Sequence, residues 1–207
     1  MNTRKDTRRL TILALLSAII VVLQIICSFV RFGPVSITLA LTPIIIGAAL
    51  YGVGAGTVLG SAFGLITLIA GLIGWDGGFI MAMMTFEDNI LYGIATVLLC
   101  IGKAVAAGFV GALVYRLLAK KSRLIAVIAA GIATPVTNTG VFAIGMLTVF
   151  RSFLSASAGA NAVSVLFLTW IGVNFLVELG TNLLLATVIT RVIEVGGRFG
   201  IGSRRVK

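Results

Sequence analysis

Residues 169–192 read TWIGVNFLVELGTNLLLATVITRV, an apolar run that carries Asn174, Glu178 and Asn182 at every fourth position. A helix crosses a bilayer with about 20 mostly apolar residues, and this run is long enough. Inside hydrocarbon an acid and two amides are costly, and they face the bundle interior or a water-filled cavity. The spacing of four puts all three on one helical face, drifting by about 40° per step. The stretch therefore predicts a membrane helix whose polar stripe meets other polar groups, not lipid.

The rest of the chain has the same character. Of its 207 residues, 59% are hydrophobic and 11% charged, and mean hydropathy is +1.18. Ordinary soluble domains lie far from these values. An all-α integral membrane protein is expected, because a helix satisfies its backbone polar groups within its own span. One membrane domain over residues 1–207 is predicted to hold six transmembrane helices. They fall at about 10–30, 35–51, 55–74, 97–118, 125–150 and 163–193. Residues 90–100 are also apolar, which leaves the start of the fourth span open by one or two turns.

Lys and Arg set the orientation. Arg4, Lys5, Arg8 and Arg9 precede span one. Arg116, Lys120, Lys121 and Arg123 separate spans four and five, and Arg191, Arg198, Arg204, Arg205 and Lys207 close the chain. The opposite side carries only Arg31 and Arg151, with the acids Asp76, Glu87 and Asp88. Both termini are thus expected in the cytoplasm. The net charge of +10 reads as a topology signal and a contact with anionic lipid headgroups, not as a nucleic-acid footprint. The N-terminal apolar run has no small-residue cleavage site after it and is read as a retained span.

Chemistry is limited by what is missing. The chain has no histidine, which removes the commonest general base and metal ligand. Cys27 and Cys100 have no metal or redox spacing. Neither a nucleophile–base pair nor a metal cluster is present, so no enzyme, metal or cofactor is expected.

The connections differ between the two sides. YGVGAG (51–56) is minimal, whereas the expected outer connections are RFGP (31–34), GWDGGFIMAMMTFEDNI (74–90) and RSFLSASAGAN (151–161). The second, with Trp75, Phe79 and three methionines, is too apolar for an idle solvated loop. It reads either as a lid over a pocket or as a half-buried packing segment; methionine and aromatic side chains suit a flat organic ligand. Gly52, Gly56, Gly60 and Gly64 share one helical face, and small residues at this spacing let helices approach closely in lipid. Packing within the molecule is the expected use. Ala14 and Ala18 repeat the pattern near the cytoplasmic end of span one, within reach of a partner.

Depth ties the polar residues together. Lys103 lies thirteen residues before Arg116, and Glu178 thirteen before Arg191, which places each about 20 Å above its basic anchor. Asn138 lies fifteen residues after Arg123, at roughly 22 Å. In a core about 30 Å thick all three share one level in the outer half. Asn174 lies about one turn above them and Asn182 about one turn below. In ATPVTNTGVF (133–142), Pro135 removes a backbone donor while Thr134, Thr137 and Thr139 add hydroxyls; Thr42 and Pro43 repeat this pairing in span two. Three uses remain open: an outward-open ligand site, a buried Lys103–Glu178 ion pair with asparagine bridges, and a proton or ion relay.

Several motifs in order resemble one family: Ala14-x-x-x-Ala18, TPIIIGAALYGVGAGTVLGSAFGL (42–65), KAVAAG (103–108) followed by GALVYRLL (111–118), and the final N-x-x-x-E-x-x-x-N. The chain resembles the substrate-specificity (S) components of energy-coupling factor (ECF) transporters. The resemblance implies a membrane subunit of a bacterium or archaeon that captures a water-soluble vitamin or related small molecule from outside. Its implied partners are a transmembrane coupling subunit and two cytoplasmic ATPases. It maps substrate binding onto Lys103, Asn138, Asn174 and Glu178, with residues 75–89, including Trp75 and Phe79, as lid. Ala14 and Ala18 map to the docking face for the coupling subunit. Hydrolysis belongs to the partners, and the chain has no G-x-x-x-x-G-K-[ST] loop. Lys103 suits an anionic substrate such as pantothenate or folate; were Glu178 to neutralise it, a neutral ring such as riboflavin fits as well. The rival function is a self-sufficient ion- or proton-coupled carrier, which internal symmetry would favour; no clear inverted repeat is visible.

Overall fold

The computed structural model describes residues 3–32, 35–36 and 38–198. Gly33 and Pro34 of the first connection, and the basic residues Arg204, Arg205 and Lys207, lie outside the described residues. The chain is a helical, multi-pass membrane protein. Five helical stretches are long and apolar enough to cross a membrane: Asp6–Ser28, Val53–Leu72, Ile90–Leu118, Arg123–Leu147 and Arg151–Leu184. The first four correspond to α1 (Thr3–Ser28), α3 (Val53–Leu72), α5 (Ile90–Leu118) and α6 (Arg123–Leu147). A two-residue antiparallel pairing, Arg31–Phe32 with Val35–Ser36, closes the turn after α1.

Three expected boundaries move. The second span is α2 (Leu41–Tyr51), whose 11 residues rise only about 16 Å, too little to cross unaided. Pro43 sits in its first turn, where no backbone donor is needed, so it breaks no hydrogen bond there. The fourth span starts at Ile90, seven residues before the expected 97, because Asn89 caps it by accepting from Leu91 N at 2.9 Å. The expected loop 151–161 contains a helix, α7 (Arg151–Ala158), which ends at Gly159 with φ +67°.

The last span is segmented too. A short α8 (Ala162–Val165) runs into a π-helical turn, Leu166–Ile171, then α9 (Gly172–Leu184) and α10 (Ala186–Arg198). Between α3 and α5 lies the six-residue α4 (Phe79–Met84), preceded by Gly77 and Gly78 with φ of 80° and 82°. Those left-handed conformations favour glycine, and they turn the chain back across the end of the bundle. That end, which also carries α7, is the upper end below; the Ala119–Ser122 turn marks the lower.

α5 is the central helix, packed against α2, α3, α4 and α6. Gly56, Gly60 and Gly64 of α3 meet its backbone at Gly108, Ala104 and Ile101. A Cβ at Gly56 would fall 2.6 Å from the Gly108 carbonyl oxygen, and one at Gly108 would overlap the Gly56 carbonyl. The glycine stripe therefore serves packing within the molecule, as expected. Gly52 serves differently: with φ +84° it makes the turn between α2 and α3. One apolar core fills the upper end around Met146, Phe150, Phe153 and Trp170. A second fills the lower end around Ile45, Tyr115, Val127 and Ile189. Leu16, Ile20, Ile44, Leu59 and Phe63 join α1, α2 and α3.

Gly108→Leu should lower the melting temperature of the detergent-purified protein, by at least the 1–3 kcal/mol or so typical of overpacking. Gly102→Ala, on the same helix with nothing within 4 Å of the added Cβ, should be neutral or stabilising. Circular dichroism melts compare the two, and equal behaviour would show that the α3–α5 contact does not hold the bundle.

Candidate functional site

The opening stripe lies inside the bundle. Asn174, Glu178 and Asn182 are 4%, 5% and 3% exposed. α6 faces them, and its Pro135 leaves the Gly131 carbonyl without its usual helical donor. Asn182 belongs to the lower part of the stripe: its Oδ1 accepts from Thr42 Oγ1 at 2.9 Å, which ties α9 to α2. Asn174 Nδ2 donates to the Trp170 carbonyl at 2.7 Å, anchoring the side chain to the end of the π turn.

Above Asn182 the helices part around a cavity of about 860 Å³, its open mouth included. Lys103 of α5, Asn138 and Thr139 of α6, and Asn174 and Glu178 of α9 line one side. The structure thus brings together the residues placed at one depth by counting turns. Asn138 faces Glu178 within hydrogen-bonding reach, yet Asn138 Oδ1 and Glu178 Oε2 are buried without a partner. Among the described residues, no carboxylate oxygen lies within 4.0 Å of Lys103 Nζ; the ion pair found is Arg191–Glu194 at 3.3 Å. The ammonium instead lies 5.2 Å from the centre of the Phe142 ring, a cation–π distance.

An aromatic roof closes the upper side. Phe79 from α4 meets Trp170 edge-on at 5.5 Å, Phe153 at 5.9 Å and Phe142 at 6.4 Å between ring centres. Phe86 adds contacts with Tyr92 and Phe153, both at 5.3 Å. Ile80 and Met83 are buried below and line the cavity with Phe79. Asp76 holds this roof in place: its carboxylate accepts from Gly78 N at 2.9 Å and Ile80 N at 2.8 Å. Trp75 stands apart from the lining, its ring 6.0 Å from Phe29.

Several lining residues were not singled out in the sequence. Trp170 lies four residues before Asn174 and Phe142 four after Asn138, so extending each polar row by one turn would have found them. Gln24 and Ser28 of α1, with Thr38 beyond it, also line the cavity; two polar residues one turn apart in an apolar span were a readable signal. Phe63 carried none.

With this geometry in view, the comparison with protein families is decisive: residues 8–190 match the model for the substrate-specific component of ECF transporters. The chain belongs to this family. No curated protein and no solved structure matches it. As an S component it is a substrate-binding subunit of a transporter, not an enzyme in itself. Ala14 and Ala18 of this S component lie exposed on α1, while Leu16, Ile20 and Gln24 of the same helix are buried.

The Asp76 contacts generate a test. Asp76→Ala should remove both hydrogen bonds, together worth about 1–3 kcal/mol, and speed hydrogen exchange of the α4 amides about five- to 150-fold. Exchange unchanged from the parent protein would mean that other contacts hold the roof.

Proposed function

We propose that the cavity under the aromatic roof is the substrate site of this S component, with Lys103, Asn138, Asn174 and Glu178 as polar contacts and Phe79 as part of the cover. One observation carries this reading: Asn138 Oδ1 and Glu178 Oε2 are buried in an apolar bundle without partners. Unsatisfied polar atoms there cost about 1–3 kcal/mol or more each, and a bound molecule supplying donors would remove that cost. Lys103, unpaired by any described carboxylate, offers a cation for an anionic group. Phe63, Phe142 and Trp170 offer apolar faces between these ends. The substrate this favours is a small, partly apolar or flat organic anion with hydrogen-bond donors, of the kind pantothenate and folate represent, over a neutral ring such as riboflavin.

The surrounding proposals follow. The protein is one membrane domain over residues 1–207 in the cell membrane of a bacterium or archaeon, with α2 and its preceding segment as a sixth crossing and both termini cytoplasmic. The roof, residues 75–89, faces outside and orders over substrate. Import is driven by two cytoplasmic ATPases through a coupling subunit that docks on Ala14 and Ala18. An ion-coupled carrier is less well supported, because the second buried acid among the described residues, Asp76, has both carboxylate oxygens bonded to backbone amides of the roof.

Two measurements test this. Asn138→Ala should weaken binding of pantothenate or folate about five- to 150-fold by calorimetry, the effect of one hydrogen bond worth about 1–3 kcal/mol. Unchanged affinity with a lower melting temperature would make Asn138 structural.

Ala14→Trp and Ala18→Trp should leave that affinity near normal and abolish complex assembly and ATP-driven uptake. Close backbone approach drives helix association in lipid, and a bulky ring on this exposed face would prevent it. Normal uptake, or loss of binding together with assembly, would count against a dedicated docking face.

A further inference from the structure

Gln24 is 3% exposed, in the mostly apolar upper part of α1. Its side-chain amide meets Thr38. Thr38 Oγ1 accepts from Ala40 N at 3.3 Å and donates its single proton to Gln24 Oε1 at 3.2 Å. Ser28 Oγ is also committed, donating to the Gln24 backbone carbonyl at 2.7 Å. With Oε1 taken, Nε2 is left with two protons, and among the described residues nothing accepts them. The side chain nonetheless lines the cavity. This amide on the α1 side of the cavity adds a polar group to those supplied by α5, α6 and α9.

We propose that Gln24 is a substrate-contacting residue whose amide nitrogen donates to an oxygen acceptor of the bound molecule, with Thr38 as the positioning residue that sets the amide. The inference rests on the cavity being the substrate site, and it adds a requirement: beyond an anionic group for Lys103, the substrate carries a carbonyl, carboxylate or hydroxyl oxygen that reaches α1. The contact also joins substrate to the helix bearing Ala14 and Ala18. Gln24 lies about 9 Å along the axis above Ala18 and about 15 Å above Ala14, on a different face.

The discriminating variant is Gln24→Glu, which keeps the shape and the acceptor for Thr38 but removes the donor. Gln24→Leu removes both hydrogen-bonding functions in similar volume. Purified wild-type and variant proteins are incubated with an equimolar mixture of the water-soluble B vitamins. Retained compound is quantified by mass spectrometry and normalised to folded protein. The wild-type protein should retain one vitamin, and both variants should retain it about five- to 150-fold more weakly. Thr38→Val, which only frees the amide to rotate, should give a smaller loss. Retention by folded Gln24→Glu or Gln24→Leu equal to wild type overturns the role of Gln24 while leaving the cavity as the site. Melting temperatures that fall with no loss of retention per folded molecule make Gln24 structural. Retention of no vitamin by the wild-type protein, with Asn138→Ala equally inert, instead removes the substrate-site reading and this inference with it.

Discussion

The contact on which the site depends is the near-touching backbones of α3 and α5. Gly56 and Gly108 each leave no room for a side chain on the other, and Ala104, one turn before Gly108 and against Gly60, is fully buried. This lets α5 lie in the middle of the bundle and fixes its rotation. Lys103, one residue from Ala104 and about 100° around the helix, is thereby directed away from α3 and toward α6 and α9. In lipid there is little hydrophobic drive to join helices, so geometric closeness must supply the association. A lysine this deep is costly, and a central helix free to rotate would have an easy way to relieve that cost. The glycine contact denies it one.

Which residues meet at one level of the bundle was legible in the sequence because helices obey simple arithmetic. Counting from Arg116, Arg123 and Arg191 put Lys103, Asn138 and Glu178 at one level, and the structure gathers them around one cavity. Such counting fails where the chain leaves the α-helix. The π turn at Leu166–Ile171 and the break at Leu185 divide what reads as one apolar span. Hydropathy has no term for either. The aromatic roof was similarly hidden: Phe79, Phe153 and Trp170 are far apart in sequence and meet only because α4 folds back. Trp75 and Phe79 look equivalent in the sequence, yet the glycine turn between them sends one toward Phe29 and the other over the cavity. Pro43 and Pro135 both follow threonine-bearing segments, but only the second lies in a helix interior, where its missing donor matters.

α1 divides its two faces between different neighbours. Leu16, Ile20 and Gln24 point inward, while Leu15, Val22 and Ile26 are exposed with Ala14 and Ala18 among them. A helix in lipid can present apolar residues on every side, so hydrophobicity alone does not tell the inner face from the outer. Residue size and polarity do: the amide marks the inner face, and the alanines mark the outer place where another backbone can come close. In the proposed roles, substrate contact and subunit docking share one helix without sharing side chains.

The separation of Lys103 from Glu178 bears most directly on function. Had the two formed a buried pair, with Asn138 and Asn174 filling the remaining lone pairs, the site would be satisfied by itself. A ligand would then have to break that pair before gaining anything. Instead Lys103 lies over Phe142 and one Glu178 oxygen lacks a partner, so the cavity wall holds two polar groups that do not satisfy each other. Packing holds them there: Ala104 against Gly60 sets α5, and Asn182 bonded to Thr42 sets α9. In the proposed site, a molecule carrying an anion toward Lys103 and donors toward Asn138 and Glu178 would complete both ends at once. A molecule matching only one end would leave the other unsatisfied, which would make the spacing of the two groups a basis for selectivity.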